Sequence, residues 1–195
     1  MFNLFNTKKK KFEEEARNHF ATEVYLEARR HFTHAVKLIC ATEKEYHWSE
    51  TALENLKRAM ELKVMWGLTE VWTDKALRNI QQEIVKGLLQ QAGKKLDPSS
   101  NISPEINHNL FAKTILLIKD WNLQYPLAPD QDLRIKSRII RNYFDKAKYP
   151  YKENRMNEVY LRWLFKAKIL VKQWAVSPPW TKKELRELED ELAKL

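Results

Sequence analysis

Apolar residues recur every three or four positions along nearly the whole chain, which is the spacing of one face of an α-helix. Residues 12–41 show this spacing in a stripe formed by Phe20, Val24, Ala28, Phe32, Ala35, Val36 and Ile39, and residues 156–174 show it most clearly. Similar stripes run through residues 53–64, 69–91, 104–121, 131–147 and 156–174. No strand-like alternation competes with them, so the sequence predicts an all-α fold, a helical bundle of about six or seven helices.

Turn and capping residues divide this pattern into segments. Thr42–Glu45 and Thr51–Glu54 both fit a capping box, so we expect a helix to end between them. Residues 93–103 form a polar loop that either separates two domains or links two halves of one bundle. The sequence predicts a flexible basic tail over residues 1–11, an N-terminal helical half over 12–92 and a C-terminal basic helical half over 104–195.

The last predicted helix opens at a further capping box, Thr181–Glu184. Its leucines at positions 185, 188, 192 and 195 form a seam that is too short for a free coiled coil. We expect this helix to pack on its own bundle or on a neighbouring copy of the chain.

Positive charge is concentrated in one part of the sequence. The net charge is +9, and residues 131–175 alone carry twelve Lys or Arg against four Asp or Glu. Lys8–Lys11 form a second basic block, and the other residues nearly cancel. A concentrated surplus creates a local positive potential that attracts polyanions. The predicted partner is therefore a nucleic acid, RNA or single-stranded DNA, contacted along its backbone.

The basic residues of this region follow helical spacing and surround two tyrosines, Tyr149 and Tyr151. Arginine forks match phosphate oxygens, and tyrosines can stack on unpaired bases. This combination is typical of a groove that follows a sugar–phosphate backbone with little base readout. The candidate nucleic-acid-binding residues are Arg134, Arg138, Arg141, Lys148, Lys152, Arg155, Arg162 and Lys166.

Other interpretations of the charge stay open. A basic surface also docks an acidic or helical protein, which would make the chain a protein-interaction adaptor, and every helical bundle has charged outer faces. The segment from Phe2 to Lys11 fits either contact with an anionic membrane surface or a frayed terminus. No apolar run is long enough to cross a bilayer, so integral membrane association is not expected.

Candidate chemistry is sparse in this sequence. Only three glycines occur, and they form no Gly-rich phosphate loop. The single cysteine, Cys40, has no partner for a disulfide or a Cys-x-x-Cys metal site. His31 and His34 share a helical face with Glu27, but no second ligand cluster accompanies them. We therefore predict a cytoplasmic protein that is not an enzyme and that uses no cofactor and no metal.

A small, basic, all-helical chain without catalytic residues resembles the helical small subunits of CRISPR effector complexes. The resemblance covers class and charge distribution rather than a motif. It implies a subunit of an antiviral nucleoprotein complex that contacts other protein subunits and supports guide and target nucleic acid through backbone contacts. The eight basic candidates named above would make those contacts.

Overall fold

The computed structural model describes residues 2–40, 48–148 and 157–193, with side chains from residue 14 in the first range and from residue 159 in the last. Within these ranges the chain forms seven helices and no strand, which confirms the predicted all-α fold. The helices are α1 (Phe2–Cys40), α2 (Trp48–Met65), α3 (Asp74–Ala92), α4 (Glu105–Asp120), α5 (Pro129–Lys148), α6 (Asn157–Gln173) and α7 (Lys182–Ala193).

The chain divides into two compact units, Met1–Ile84 and Val85–Leu195. The division falls inside α3 rather than at the polar loop of residues 93–103. That loop belongs to the second unit, where buried amides hold it. The Asn142 amide nitrogen donates to the Lys94 carbonyl at 2.9 Å, and its oxygen accepts from the Leu96 N–H at 3.2 Å. The Asn107 amide also donates to the Lys94 carbonyl, at 2.9 Å.

The first unit pairs a long helix with a shorter one. At 1.5 Å per residue, α1 is roughly 58 Å long and α2 roughly 27 Å. Ala28, Leu62 and Val71 form a buried cluster in this unit, and Trp72 stacks on Phe32 with ring centroids 4.6 Å apart. Burial of these apolar side chains is the main force that holds the pair together.

The apolar stripe predicted for α1 is only partly buried. Ala28 and Ala35 are fully buried, whereas Phe20 exposes 59% of its surface. The packed cluster extends toward the N-terminus as far as Val24, and residues 17–23 are all exposed. Helical spacing identified the correct face of α1 but not the residue at which that face stops packing and becomes exposed.

Two predicted helix starts differ from the structure. α2 begins at Trp48, so Thr51 lies inside the helix and the capping box assigned to it is wrong; Thr42 lies outside the described residues. α1 begins at Phe2 rather than at residue 12, and it therefore includes most of the segment predicted as a tail.

The start of α3 is also later than the apolar pattern indicates. It begins at Asp74 rather than at residue 69, because Glu70 adopts a left-handed backbone with φ of 57° that a helix does not accommodate. Thr73 then caps the helix, since its hydroxyl accepts a hydrogen bond from the Ala76 N–H at 3.2 Å. Apolar periodicity continued through a turn and made the helix look longer than it is.

The second unit is built around α5. Ile139, Ile140, Tyr143 and Phe144 have no exposed surface, and α5 packs along α6. α7 contributes Leu188 and Leu192 to the core. The leucine seam of α7 therefore packs on its own unit, which is one of the two outcomes expected from the sequence.

The capping box predicted at the start of α7 is confirmed. The Thr181 hydroxyl accepts from the Glu184 N–H at 3.1 Å, and the Glu184 carboxylate accepts from the Thr181 N–H at 2.7 Å. These reciprocal bonds satisfy two backbone donors that the first turn of a helix leaves free. They also fix the position of the Glu184 side chain.

Candidate nucleic-acid interface

Helix α5 carries six basic side chains, and the structure separates them by environment. Arg134 and Arg138, in the N-terminal half, are exposed. Lys136 forms a 2.7 Å ion pair with Asp132, four residues before it. The remaining three belong to the C-terminal half and all have partners inside the second unit: Arg141, Lys146 and Lys148.

An open groove of about 680 Å³ runs beside the N-terminal half of α5. Its described lining contains three arginines and no carboxylate: Gln90, Gly93, Leu127, Gln131, Leu133, Arg134, Ile135, Ser137, Arg138, Arg141 and Pro179. Glutamine and serine side chains add neutral hydrogen-bond donors to the arginine forks. The groove thus combines positive charge, polar donors and an apolar floor, a composition that suits an anionic ligand with flat apolar parts.

The two outer arginines of the groove have little internal competition. The Arg134 side chain is 81% exposed, and its one ion pair, with the Asp130 carboxylate, is long at 3.7 Å. An exposed pair of this kind contributes little to stability and is readily exchanged for another anion. Arg138 is exposed and has no ion pair or hydrogen bond to any residue that the structure describes.

Gly93 lies in the lining of the groove, close against α5. A Cβ at Gly93 would lie 2.8 Å from Ile135 Cγ1 on α5, closer than real Cβ contacts. Gly93 ends α3 as the sequence indicates, but its backbone is not left-handed, and the close approach to α5 is the reason that glycine is needed. This role, and the participation of Gln90 and Gln131, could not be found in the sequence because it depends on which helices meet.

Arg141 is held inside the fold although it lines the groove. Its guanidinium donates to the Asp145 carboxylate at 2.7 Å, to the Pro179 carbonyl at 2.9 Å and to the Glu184 carboxylate at 2.9 Å. Lys148 binds the same Glu184 oxygen at 3.3 Å. These contacts tie α5 to the start of α7, so both cations already have anionic partners.

Glu184 is held as a carboxylate by this arrangement. The hydrogen bond from the Thr181 N–H, followed by the one from Arg141, lowers the pKa of Glu184 from 4.5 to about 2. A single carboxylate therefore caps α7 and forms ion pairs with two of the eight predicted binding residues, Arg141 and Lys148.

Lys146 is buried, with only 4% of its surface exposed. Its ammonium donates to the Pro98 carbonyl at 2.9 Å and also to the Ser100 carbonyl, so it fastens the loop of residues 93–103 to α5. Burial lowers the pKa of Lys146, and the nearby Asp97 charge partly opposes that shift. One charge of the basic surplus is thus a structural element of the interior.

The basic candidates of α6 lie beside exposed apolar side chains. The Arg162 side chain is 77% exposed, with the Glu105 carboxylate 3.5 Å away, and Lys166 lines the same hollow of about 360 Å³. Phe165 exposes 60% of its surface and Ile169 exposes 46%. Lys152 and Arg155, the other two predicted residues, lie outside the described part of the chain.

His31 and His34, the histidine pair noted in the sequence, lie in different environments. His31 Nδ1 lies 2.8 Å from the Asn55 side-chain oxygen, and its Nε2 lies 3.9 Å from the Glu27 carboxylate. His34 is exposed. Among the described residues there is no group of three or more His, Cys, Asp or Glu side chains that could hold a metal ion.

Comparison of the chain with protein-family models, curated proteins and solved structures found no match. Within the described ranges, no helix has the length and apolar character needed to span a bilayer.

Proposed function

We propose that this chain is a non-enzymatic helical subunit that binds the backbone of a nucleic acid, RNA or single-stranded DNA, through the groove beside α5. One observation carries the proposal: among the described residues, three arginines and no carboxylate line an open groove of about 680 Å³. Arg134 and Arg138 are the residues that contact phosphates. Arg141 is a positioning residue that holds the wall of the groove through Pro179.

Arginine suits this role because its planar fork donates two parallel hydrogen bonds to phosphate oxygens. The lining has few groups that could distinguish one base from another, so binding depends little on sequence and strongly on salt. Arg162 and Lys166 on α6 extend the positive surface. A more specific form of this proposal is that the chain is a small subunit of a CRISPR effector complex. Only the class-level resemblance supports that form.

The test is a fluorescence-anisotropy titration with a labelled single-stranded oligonucleotide at about 50 mM and about 200 mM salt. The charge-reversed variant Arg134→Glu/Arg138→Glu should lose at least tenfold in affinity at the lower salt, because two phosphate contacts become repulsive. Its salt dependence should also be shallower than that of the native chain.

A matched control is Lys113→Glu/Lys119→Glu on α4. Both lysines are exposed in the same unit and lie outside the groove, so the net charge changes equally. If this control loses as much affinity as the groove variant, binding is a property of net charge and the assigned site is wrong. Circular dichroism of both variants shows whether the helices are intact.

A protein-interaction adaptor is the second candidate, and the exposed stripe of α6 favours it. Leu161, Phe165 and Ile169 follow one another at four-residue spacing and expose 36%, 60% and 46% of their surfaces. Arg162 and Lys166 border them, so the surface would suit an amphipathic partner helix with acidic flanks. An adaptor of this kind would bind no oligonucleotide even at about 50 mM salt, which separates the two functions.

A further inference from the structure

Helix α1 carries a second group of cations on the face opposite its packed side. Ala28, Phe32 and Ala35 are buried, and the exposed residues between them fall on the other side of the helix. A shallow concave surface of about 300 Å³ lies there, lined in the described residues by Leu26, Arg29, Arg30, Thr33, His34 and Lys37.

The cations of this surface have no internal partners. Arg29, Arg30 and Lys37 are exposed, and none forms an ion pair or hydrogen bond with another described residue. Two carboxylates lie on α1 before this surface: Glu27 is 3.9 Å from His31, and Glu23 is 3.7 Å from His19. Between residues 29 and 37 the helix has no Asp or Glu, so the charged side chains of this stretch are of one sign, whereas an ordinary solvated helix face mixes both.

The spacing of these side chains suits a phosphate chain. Positions 29, 33 and 37 follow one another at four-residue steps, positions 30 and 34 form a neighbouring row with the same spacing, and the stretch from 29 to 37 is about 12 Å long at 1.5 Å per residue. Arginine forks and the Thr33 hydroxyl supply donors along this length. The side chains are uncovered in the first unit, so a ligand can reach them without displacing any described ion pair.

We infer that the Arg29–Lys37 face of α1 is a second binding surface for a nucleic-acid backbone, so that one chain holds two segments of single strand. This inference rests on the proposed function for the nature of the ligand, but it concerns a different unit and different residues. The chain then has two linked binding surfaces, and together they raise the apparent affinity for a long strand above that of either surface alone.

Stoichiometry tests this inference directly. The probe is a fluorescein-labelled oligothymidine of about four nucleotides, at the lower end of single-strand site sizes and closer to the roughly 12 Å length of the α1 surface, titrated at about 50 mM salt and at protein concentrations well above the dissociation constant. The native chain should bind two equivalents. Arg30→Gln/Lys37→Gln should bind one, and Arg134→Gln/Arg138→Gln should also bind one.

The affinity of the α1 surface gives a second readout. At about 0.1 M salt each phosphate contact on single strand contributes a factor of roughly five, so losing Arg30 and Lys37 should weaken that surface roughly 25-fold. The control is Arg17→Gln/Lys57→Gln, which removes two exposed cations of the same unit outside this surface. It should still bind two equivalents.

Each other result decides between the two sites. If the native chain binds one equivalent and only Arg134→Gln/Arg138→Gln abolishes that binding, the α1 site is overturned and the proposed function stays intact. If the native chain binds one equivalent and only Arg30→Gln/Lys37→Gln abolishes it, the α1 site is supported and the groove is overturned. Loss of all binding in either variant alone, or one lost equivalent in the Arg17→Gln/Lys57→Gln control, contradicts a separate second surface.

Discussion

The two halves of α5 carry the same kind of charge and use it in opposite ways. In the N-terminal half, Arg134 and Arg138 face solvent at the edge of an open groove. In the C-terminal half, Arg141 and Lys148 share one carboxylate of α7, and Lys146 is buried against a loop. A local surplus of positive charge is therefore not by itself a binding surface. Arg134 and Arg138 stay exposed because no anion or carbonyl from another described element engages them, and the one ion pair of Arg134 is the 3.7 Å contact with Asp130 on α5 itself.

The neighbours of α5 explain the difference. Its C-terminal half meets Glu184 at the start of α7, which supplies a carboxylate, and residues 98–100, which supply two carbonyls. Its N-terminal half meets Gly93, which has no side chain and lies close against Ile135. The same helix is thus satisfied at one end and open at the other.

The largest effect is expected when Lys146 is replaced. Lys146→Met keeps the apolar stem but removes the ammonium that binds the Pro98 and Ser100 carbonyls. We expect the free energy of unfolding to fall by about 2 kcal/mol, because two partly buried carbonyls lose their donor. Urea unfolding followed by circular dichroism measures this. A neutral or stabilising result would show that the free energy needed to bury the ammonium is at least as large as the free energy gained from its hydrogen bonds.

A smaller effect is expected at the shared carboxylate. Glu184→Gln keeps an acceptor for the Thr181 N–H but removes the negative charge that pairs with Arg141 and Lys148. The free energy of unfolding should fall by about 1 kcal/mol at neutral pH. Chemical denaturation of the native chain and the variant under identical conditions gives the difference.

The pH dependence of that difference has a defined sign. The pKa of Glu184 is about 2 in the folded chain, below its usual 4.5, so the folded state binds this proton less readily than the unfolded state. Its contribution to stability is therefore complete above about pH 4.5 and is lost as the pH falls toward 2. The gap between the native chain and Glu184→Gln should close over that interval. A gap that stays constant would mean that the ion pairs do not stabilise the fold.

The smallest effect on stability is expected in the open half of the helix. Arg138→Ala removes an exposed side chain without a described partner, so the free energy of unfolding should change by no more than about 0.5 kcal/mol. Thermal unfolding is sufficient to test this. A loss comparable to that of Lys146→Met would erase the contrast between the two halves, and it would place Arg138 among the structural cations.

Much of the fold could be predicted from local patterns. The helical class and the capping box at Thr181 follow from apolar spacing and capping chemistry, which act over one or two turns. The end of α3 at Gly93 was also predicted, but this glycine is needed for the close approach to Ile135 rather than for a left-handed cap. The start of α3 could not be predicted, because the apolar pattern runs through the left-handed residue Glu70. The exposure of Phe20 also could not be predicted from the sequence, because it depends on how far the packed cluster of the first unit extends along α1.

The sequence by itself determined that this is an all-helical chain with its positive charge concentrated between residues 131 and 175, because periodicity and charge are properties of neighbours along the chain. Only the tertiary structure decided which of those cations are available. Arg141 and Lys146 are engaged by groups 38 to 48 residues away, whereas Arg134 and Arg138 line an open groove. Burial and ion pairing depend on distances in space, and such distances do not follow from spacing along the chain.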